Sequence, residues 1–238
     1  MFSLLYGFYT FATSRTEIRS LLVGIERSGK TTLLEQIKAL HGTPSQTLSS
    51  ITPTIGMNLG KVSTQAVDAV FWDLGGSMRG IWEQYYSSAD AIIFIVDASD
   101  RSRFGEAAST LELVLLRIEE LGASVPVFIF ANKSDKSGSA RLPEVLDSVC
   151  RPAGLVVSEL NDTAGSLPSL LSKSDQVNSI PLQQVYSLLP GQRQVRTATS
   201  ILKRECKLFQ VSAVTLEGLS EAVSFAVSAA KKFSFAKQ

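Results

Sequence analysis

Cysteine and histidine are scarce in this chain of 238 residues, which holds two of the first and one of the second. Cys150 and Cys206 lie far apart without paired spacing, so neither a zinc site nor the disulfide framework of a small secreted domain is available. They read as reduced thiols of a cytoplasmic protein. Nor does any apolar run reach the roughly 18 to 20 residues that a membrane-crossing helix needs. Charge of one sign is missing too: 23 basic against 22 acidic residues leave a net charge of +1, which gives no broad field for nucleic acid. The N-terminus MFSLLYGFYTFATSR lacks the basic start and small-residue cleavage site of a secretory signal.

What is present is an ordinary globular composition, 45% hydrophobic and 19% charged, at a length that suits one α/β domain with some extra. From residue 18 onward, short β-branched or aromatic runs alternate with longer amphipathic stretches. The pattern predicts strands near 18–24, 57–63, 67–73, 90–97, 125–131 and 206–212. Helices are predicted over 30–40, 79–88, 103–121, 142–150 and 216–233, where apolar residues recur every three or four positions. The segment 57–73 has no room for a helix between its strands. The fold expected is therefore α/β, a mostly parallel six-stranded sheet with one antiparallel edge strand and helices on both faces. Residues of about 155–200, rich in Ser, Gln, Leu and Pro and without sustained period, read as an irregular insertion.

Three motifs carry the chemistry. Gly24-Ile-Glu-Arg-Ser-Gly29-Lys30-Thr31 follows an apolar strand and opens a helix, the context a phosphate-binding loop requires. The backbone N–H groups of Glu26, Arg27, Ser28, Gly29, Lys30, Thr31 and Thr32 would point inward at a helix N-terminus whose dipole favours anions. Lys30 would reach the β- and γ-phosphates, and the Thr31 hydroxyl would hold Mg²⁺. Asp73, ending the run Val70-Phe-Trp-Asp73-Leu-Gly-Gly76, is the second expected metal ligand, and Gly76 would bring a backbone N–H against the γ-phosphate. Alone this DxxG element is also a good turn. Asn132-Lys133-Ser134-Asp135 lies just past a strand, at the carboxyl edge where open α/β sheets bind ligands. An aspartate there can accept from both N1–H and the exocyclic amine of guanine, a pair that adenine lacks, so GTP is favoured over ATP. Ser212 and Ala213 follow the last strand, where a backbone N–H would meet guanine O6.

These residues resemble the Ras-like small GTPases, and several tracts narrow the resemblance to the Arf (ADP-ribosylation factor) family and its Arf-related branch. They are GKTTLLEQ, Pro53-Thr54-Ile55-Gly56-Met57-Asn58, Trp72-Asp73-Leu74-Gly75-Gly76, Trp82 and Tyr85, Val96-Asp97-Ala98-Ser99-Asp100-Arg101, and Ala131-Asn132-Lys133-Ser134-Asp135. Together they cover about 20–150 and 206–230. The resemblance implies a monomeric GTP/GDP switch that works with an exchange factor, an activating protein and effectors in vesicle trafficking. Thr54 would join Thr31 and Asp73 on Mg²⁺ when GTP is bound, and Lys30, Thr54 and Gly76 would surround the γ-phosphate during hydrolysis. Met57, Trp72 and Tyr85 occupy the positions of the family's effector-facing aromatic triad, with methionine where phenylalanine is usual. The family pattern divides the chain into an amphipathic helix at 1–17 and a GTPase domain at 18–238. In Arf proteins the hairpin between the switches slides on GTP binding and expels that helix toward the membrane. Phe2, Leu4, Leu5, Phe8, Tyr9 and Phe11 give it an aromatic face suited to an interface or to a groove on the domain. Phe2 stands where a myristoylated glycine is usual; a Met-Phe start is similar to Arf-related proteins, whose acetylated N-terminus is read by a Golgi membrane protein. The location implied is cytoplasmic and peripheral on Golgi membranes.

One departure bears on catalysis. After Gly76 the family places a water-positioning glutamine, whereas this chain has Ser77-Met78-Arg79-Gly80-Ile81-Trp82, two residues shorter before the tryptophan. Weak intrinsic hydrolysis with intact GTP binding is the expectation, and a pseudo-GTPase whose output is partner binding alone is the alternative. Arg79 offers compensation in cis or is simply solvated. A P-loop ATPase or kinase is a distant third, because NKSD has no part in adenine recognition. His41, after the P-loop helix, reads as a surface or capping residue.

Overall fold

The computed structural model describes residues 15–64, 67–161 and 205–237. The N-terminal segment 1–14 and residues 162–204, and with them most of the predicted helix at 1–17 and of the predicted insertion, lie outside the described residues; the helix boundary is corrected by Thr16 and Glu17, which open a strand.

The middle of the sheet is made where the chain offers uninterrupted apolar strands. β4 (Ala91–Asp97) and β5 (Val127–Asn132) are buried almost throughout, as parallel strands covered on both faces must be. Neighbouring residues then serve opposite layers. Leu21, Phe94, Val96 and Ile129 face one side with Leu111, Val114 and Ile118 of α3 (Phe104–Glu120). Ile18, Leu22, Ile93 and Phe130 face the other with Leu33, Leu34 and Ile37 of α1 (Lys30–Leu40) and Ala222, Ala226 and Ala230 of α5 (Leu219–Ala236). Each fully buried aliphatic side chain contributes roughly 1.5–3 kcal/mol.

The spatial order is β2-β3-β1-β4-β5-β7-β6. β1 (Thr16–Val23) pairs in parallel with β3 (Val67–Leu74) and with β4. β2 (Met57–Ser63) runs antiparallel to β3, with Met57 opposite Leu74 and Ser63 opposite Asp68, so the predicted edge hairpin is present. Its β2 strand crosses α1 at close range: a Cβ on Gly60 would meet Leu34 Cδ1 at 2.4 Å.

All six predicted strands form, and a seventh joins them. β6 (Val156–Asn161) pairs in parallel with β7 (Glu205–Gln210) at the edge opposite the hairpin, with an irregular register between Val157 and Glu159. The segment read from sequence as irregular from residue 155 thus begins with an ordered strand, because the polar stretch finds its pairing in a strand more than forty residues later. The predicted helix at 79–88 is broken into a 3₁₀ turn, Arg79–Ile81, and a short α2 (Glu83–Tyr86). The one at 142–150 is α4 (Leu142–Val145) continued by a π-helical turn, Leu146–Cys150. His41 caps α1, with its Nδ1 2.9 Å from Ile37 O. Among the described residues no helix is long and apolar enough to cross a membrane.

Candidate functional site

The carboxyl ends of β1, β3 and β5 bring the phosphate loop, Thr54, Gly76 and Lys133 around one cavity of about 330 Å³, whereas Asn132, Asp135, Ser212 and Ala213 stand outside its lining. Its lining includes Glu26, Lys30, Thr31, Thr54, Gly76 and Lys133. Arg27, Gly29, Thr32 and Ser77 border it as well. β1 feeds the loop that turns at Gly24 (φ +145°), where a Cβ would lie 2.4 Å from Ile95 O, and enters α1 through Gly29 (φ +96°). Alanine at Gly24 would be strained in both respects. Arg27 holds a left-handed φ of 63° without a glycine's freedom, a conformation found where surrounding structure imposes it. α1 starts with no side-chain cap and no acidic residue in its first turn, which leaves its N–H groups and positive dipole end for an anion.

Lys30 is buried and donates to Gly24 O (3.0 Å) and Ile25 O (2.9 Å). Burial pushes its pKa down to about 8, against the pull of the Asp73 and Glu26 carboxylates. Beside it, three side chains from separate elements converge. Thr31 Oγ1 donates to Asp73 Oδ2 at 2.7 Å, Thr54 Oγ1 lies 2.7 Å from Thr31 Oγ1, and Thr54 Oγ1 donates to Asp73 Oδ2 at 3.2 Å. Asp73 Oδ1 is buried with no hydrogen-bond partner. Burial raises the Asp73 pKa above the usual carboxylate range even though both hydroxyls favour its charged form. An isolated buried carboxylate is costly, and a cation is the partner that would relieve it.

The segment Gly75 to Trp82 after β3, the expected switch II, begins by pressing on this loop. A Cβ on Gly76 would lie 2.6 Å from Glu26 N, and one on Gly75 2.5 Å from Thr54 O, so both glycines are demanded by close backbone approach.

On the other side, Asn132 ties two loops together. Its Nδ2 donates to Ser28 O (3.0 Å), and its Oδ1 accepts from the Ala213 N–H (3.0 Å). Ser212 and Ala213 were expected to offer a backbone N–H to guanine O6; the Ala213 N–H here serves Asn132, whose buried amide oxygen needs a donor. Lys133, at a φ of 66°, donates to Arg27 O (2.7 Å) and to Asp97 Oδ2 (2.5 Å). Burial disfavours the Asp97 charge, but the hydrogen bonds from Lys133 and Ser99 outweigh it and hold the pKa below the usual range. Asp135 Oδ1 accepts from Ser212 Oγ at 2.6 Å, and Ser212 Oγ accepts in turn from the N–H groups of Val214 and Thr215. The carboxylate that sequence reading assigns to the base is thereby oriented by the last loop.

The structure adds residues that the motifs did not identify. Arg103 reaches the phosphate loop, donating to Glu26 O at 2.6 Å. The buried Trp82 indole N–H donates to Gly75 O at 3.1 Å and straps switch II down. Nothing in the local sequence marks either contact, since each joins a loop to a residue whose position depends on the complete fold.

Two further surfaces flank the site. Trp72 and Tyr85 meet edge to face at 5.5 Å, with Met57 and Leu59 exposed on the adjoining β2. A second cavity, about 510 Å³, lies between the β2–β3 hairpin and α5, lined by Val62, Phe71, Val223 and Val227 and bordered by Lys231 and Lys232.

Comparison with known proteins bears on family and fold. The family model described as the ADP-ribosylation factor family matches residues 6–151. ADP-ribosylation factor-like protein 3 of Saccharomyces cerevisiae is 36% identical over 148 residues, 61% of this chain and 74% of that protein. ADP-ribosylation factor-related protein 1 of Homo sapiens is 34% identical over 149 residues, 61% of this chain and 73% of its own. Among solved structures, the Arl6 small GTPase of Trypanosoma brucei with a bound nucleotide analogue, GppNp, superposes with a TM-score of 0.61. It is 25% identical, over 91% of this chain and 99% of its own. The mammalian SRP receptor shares the fold, with a TM-score of 0.59 at 18% identity over 87% of this chain and 98% of its own.

Proposed function

The chain belongs to the ADP-ribosylation factor family of small GTPases, and from that premise we propose that it is a guanine-nucleotide switch whose GTP form recruits effectors to Golgi or endosomal membranes. The observation that carries the reading is the meeting of Thr31, Thr54 and Asp73 beside Lys30, because it joins the start of α1, the loop before β2 and the end of β3 at one point.

Mg²⁺ fits that point. Two hydroxyls and one carboxylate with an unpartnered buried oxygen are hard donors of the kind Mg²⁺ takes while keeping several waters. Among the described residues no group of three or more His, Cys, Asp and Glu forms a richer metal site. Thr31, Thr54 and Asp73 would hold the ion, which supplies charge neutralisation at the β- and γ-phosphates. The chain itself supplies the rest. The N–H groups of Glu26 to Thr32 and the Lys30 ammonium cradle the phosphates, and the Gly76 N–H marks the third one. Asp135, oriented by Ser212, reads the guanine, and Asn132 with Lys133 fixes the loops around it.

Hydrolysis is proposed to be slow. Ser77, where the family has glutamine, is exposed and short, and cannot orient water as far from the backbone. The second reading, a pseudo-GTPase held in one nucleotide state, rests on that same residue; single-turnover hydrolysis by the purified chain separates the two. The Trp72–Tyr85 pair with Met57 and Leu59 is the proposed effector face. The groove between hairpin and α5 is the proposed seat of the N-terminal segment, whose release would meet the membrane beside Lys231 and Lys232.

Displacement titration with fluorescent GDP, GTP and ATP analogues tests the central claim. Guanine nucleotides should bind far more tightly than ATP, and Asp135→Asn should move preference toward xanthine nucleotides. Equal affinity for ATP would refute the reading.

A further inference from the structure

Switch II reads from sequence as two residues shorter than the family pattern. The segment doubles back at once: the Met78 N–H donates to Gly75 O (3.1 Å) and the Trp82 N–H to Arg79 O (3.2 Å), while the Trp82 indole returns to Gly75 O. Arg79 folds back on this turn, with its Nε 3.4 Å from Gly76 O. Gly76 lines the candidate nucleotide cavity and touches the backbone of Glu26.

Arg79 shares its partner. Glu106, in the first turn of α3, accepts from the Arg79 guanidinium and also from Arg103 Nε (3.1 Å) and Nη2 (2.9 Å). Arg103 Nη1 donates to Glu26 O at 2.6 Å. Two cations therefore share the Glu106 carboxylate at the rim of the phosphate loop, where the Glu26 carboxylate also acts on Lys30. Their field reaches the cradle, since both arginines oppose protonation of Lys30. Arg79 and Glu106 are each about two-fifths exposed, at 40% and 41%, so their ion pair is screened and readily exchanged. A phosphate presents the same planar pair of oxygens with more charge, and guanidinium binds it bidentately.

Resting on the nucleotide reading above, we propose that Arg79 recognises the terminal phosphate of a nucleoside triphosphate, leaving Glu106 to Arg103 as it does so. Arg79 would then give this chain a preference for GTP over GDP from within its own switch II.

Affinities for GDP and for a non-hydrolysable GTP analogue, measured by displacement of a fluorescent nucleotide at two salt concentrations, test this. Arg79→Ala should weaken the triphosphate analogue by about tenfold or more, as loss of a charge-assisted bond implies, and leave GDP within about twofold. Arg79→Lys should restore part of the difference, and Glu106→Gln, which frees the guanidinium, should tighten the analogue and not GDP. The wild-type preference should also fall with salt more steeply than that of Arg79→Ala. Equal changes for both nucleotides, or none, would overturn the assignment while leaving guanine-nucleotide binding intact. Failure of the wild-type chain to bind either nucleotide would overturn the underlying reading and this assignment with it.

Discussion

Replacing Gly76 by alanine adds one methyl group at the junction of switch II and the phosphate loop. Its Cβ would stand 2.6 Å from Glu26 N and 2.8 Å from both Glu26 Cα and Ile25 C. All three are backbone atoms, and the loop that carries them is fixed by the Lys30 ammonium on Gly24 O and Ile25 O. Overpacking of this kind costs about 1–3 kcal/mol. Switch II can escape the clash by lifting away, so the penalty falls on the closed arrangement and not on the fold. A triphosphate that depends on closure should then lose about 5- to 150-fold in affinity relative to GDP. Gly80→Ala is the matched control, three residues before α2 and with nothing within 4 Å of the added carbon. It should be neutral or slightly stabilising, because alanine restricts the unfolded chain. Displacement titrations on both variants, with far-UV circular dichroism to verify the fold, supply the comparison. If the two alanines alter the GTP-analogue to GDP ratio equally, Gly76 is not the contact on which closure depends.

Trp82→Phe removes a buried indole donor from Gly75 O, which keeps the Met78 N–H, and leaves a cavity of roughly 40 Å³; the two terms together cost about 2 kcal/mol in urea unfolding. A loss below about 0.5 kcal/mol would show that the strap is not under load. Burial pushes the Cys206 thiol up to about 12 from an ordinary 9.0, and raises Cys150 too. The folded state thus keeps protons that the unfolded chain releases, so this stability is complete below pH 9 and disappears as pH rises toward 12, by up to about 1.4 kcal/mol per unit for each thiol. Denaturant midpoints should drop between pH 9 and 10.5, and Cys206→Ala should flatten the slope; an unchanged slope would refute the burial argument.

The architecture was readable wherever local pattern and packing agree. The apolar runs of β4 and β5 and the spacing of Leu111, Val114, Leu115 and Ile118 demand burial on their own terms, and the Gly24–Thr31 and Asn132–Asp135 motifs place themselves by following strands. What escaped the sequence are contacts made by distant segments. β6 takes its stability from β7 across a long excursion, and a polar stretch of that kind carries no period to reveal it. Arg103 on Glu26 O spans 77 residues, and the Lys133 bond to Arg27 O spans 106. The Ala213 N–H serves the buried Asn132 amide oxygen across 81 residues. Such choices are set by which polar groups the finished core leaves without water.

Because β6 and β7 are parallel, the chain departs and comes back at opposite margins of the sheet. Asn161 ends level with Phe209, toward the margin that carries Asn132 and Ser212, and Glu205 re-enters beside Val156 at the far margin. A fluorophore at residue 161 would therefore report on the neighbourhood of the guanine loops, and one at residue 205 would be its distant reference. The outermost strand is in this sense a built-in ruler, with one end at the margin of the candidate site and the other at the opposite margin of the sheet.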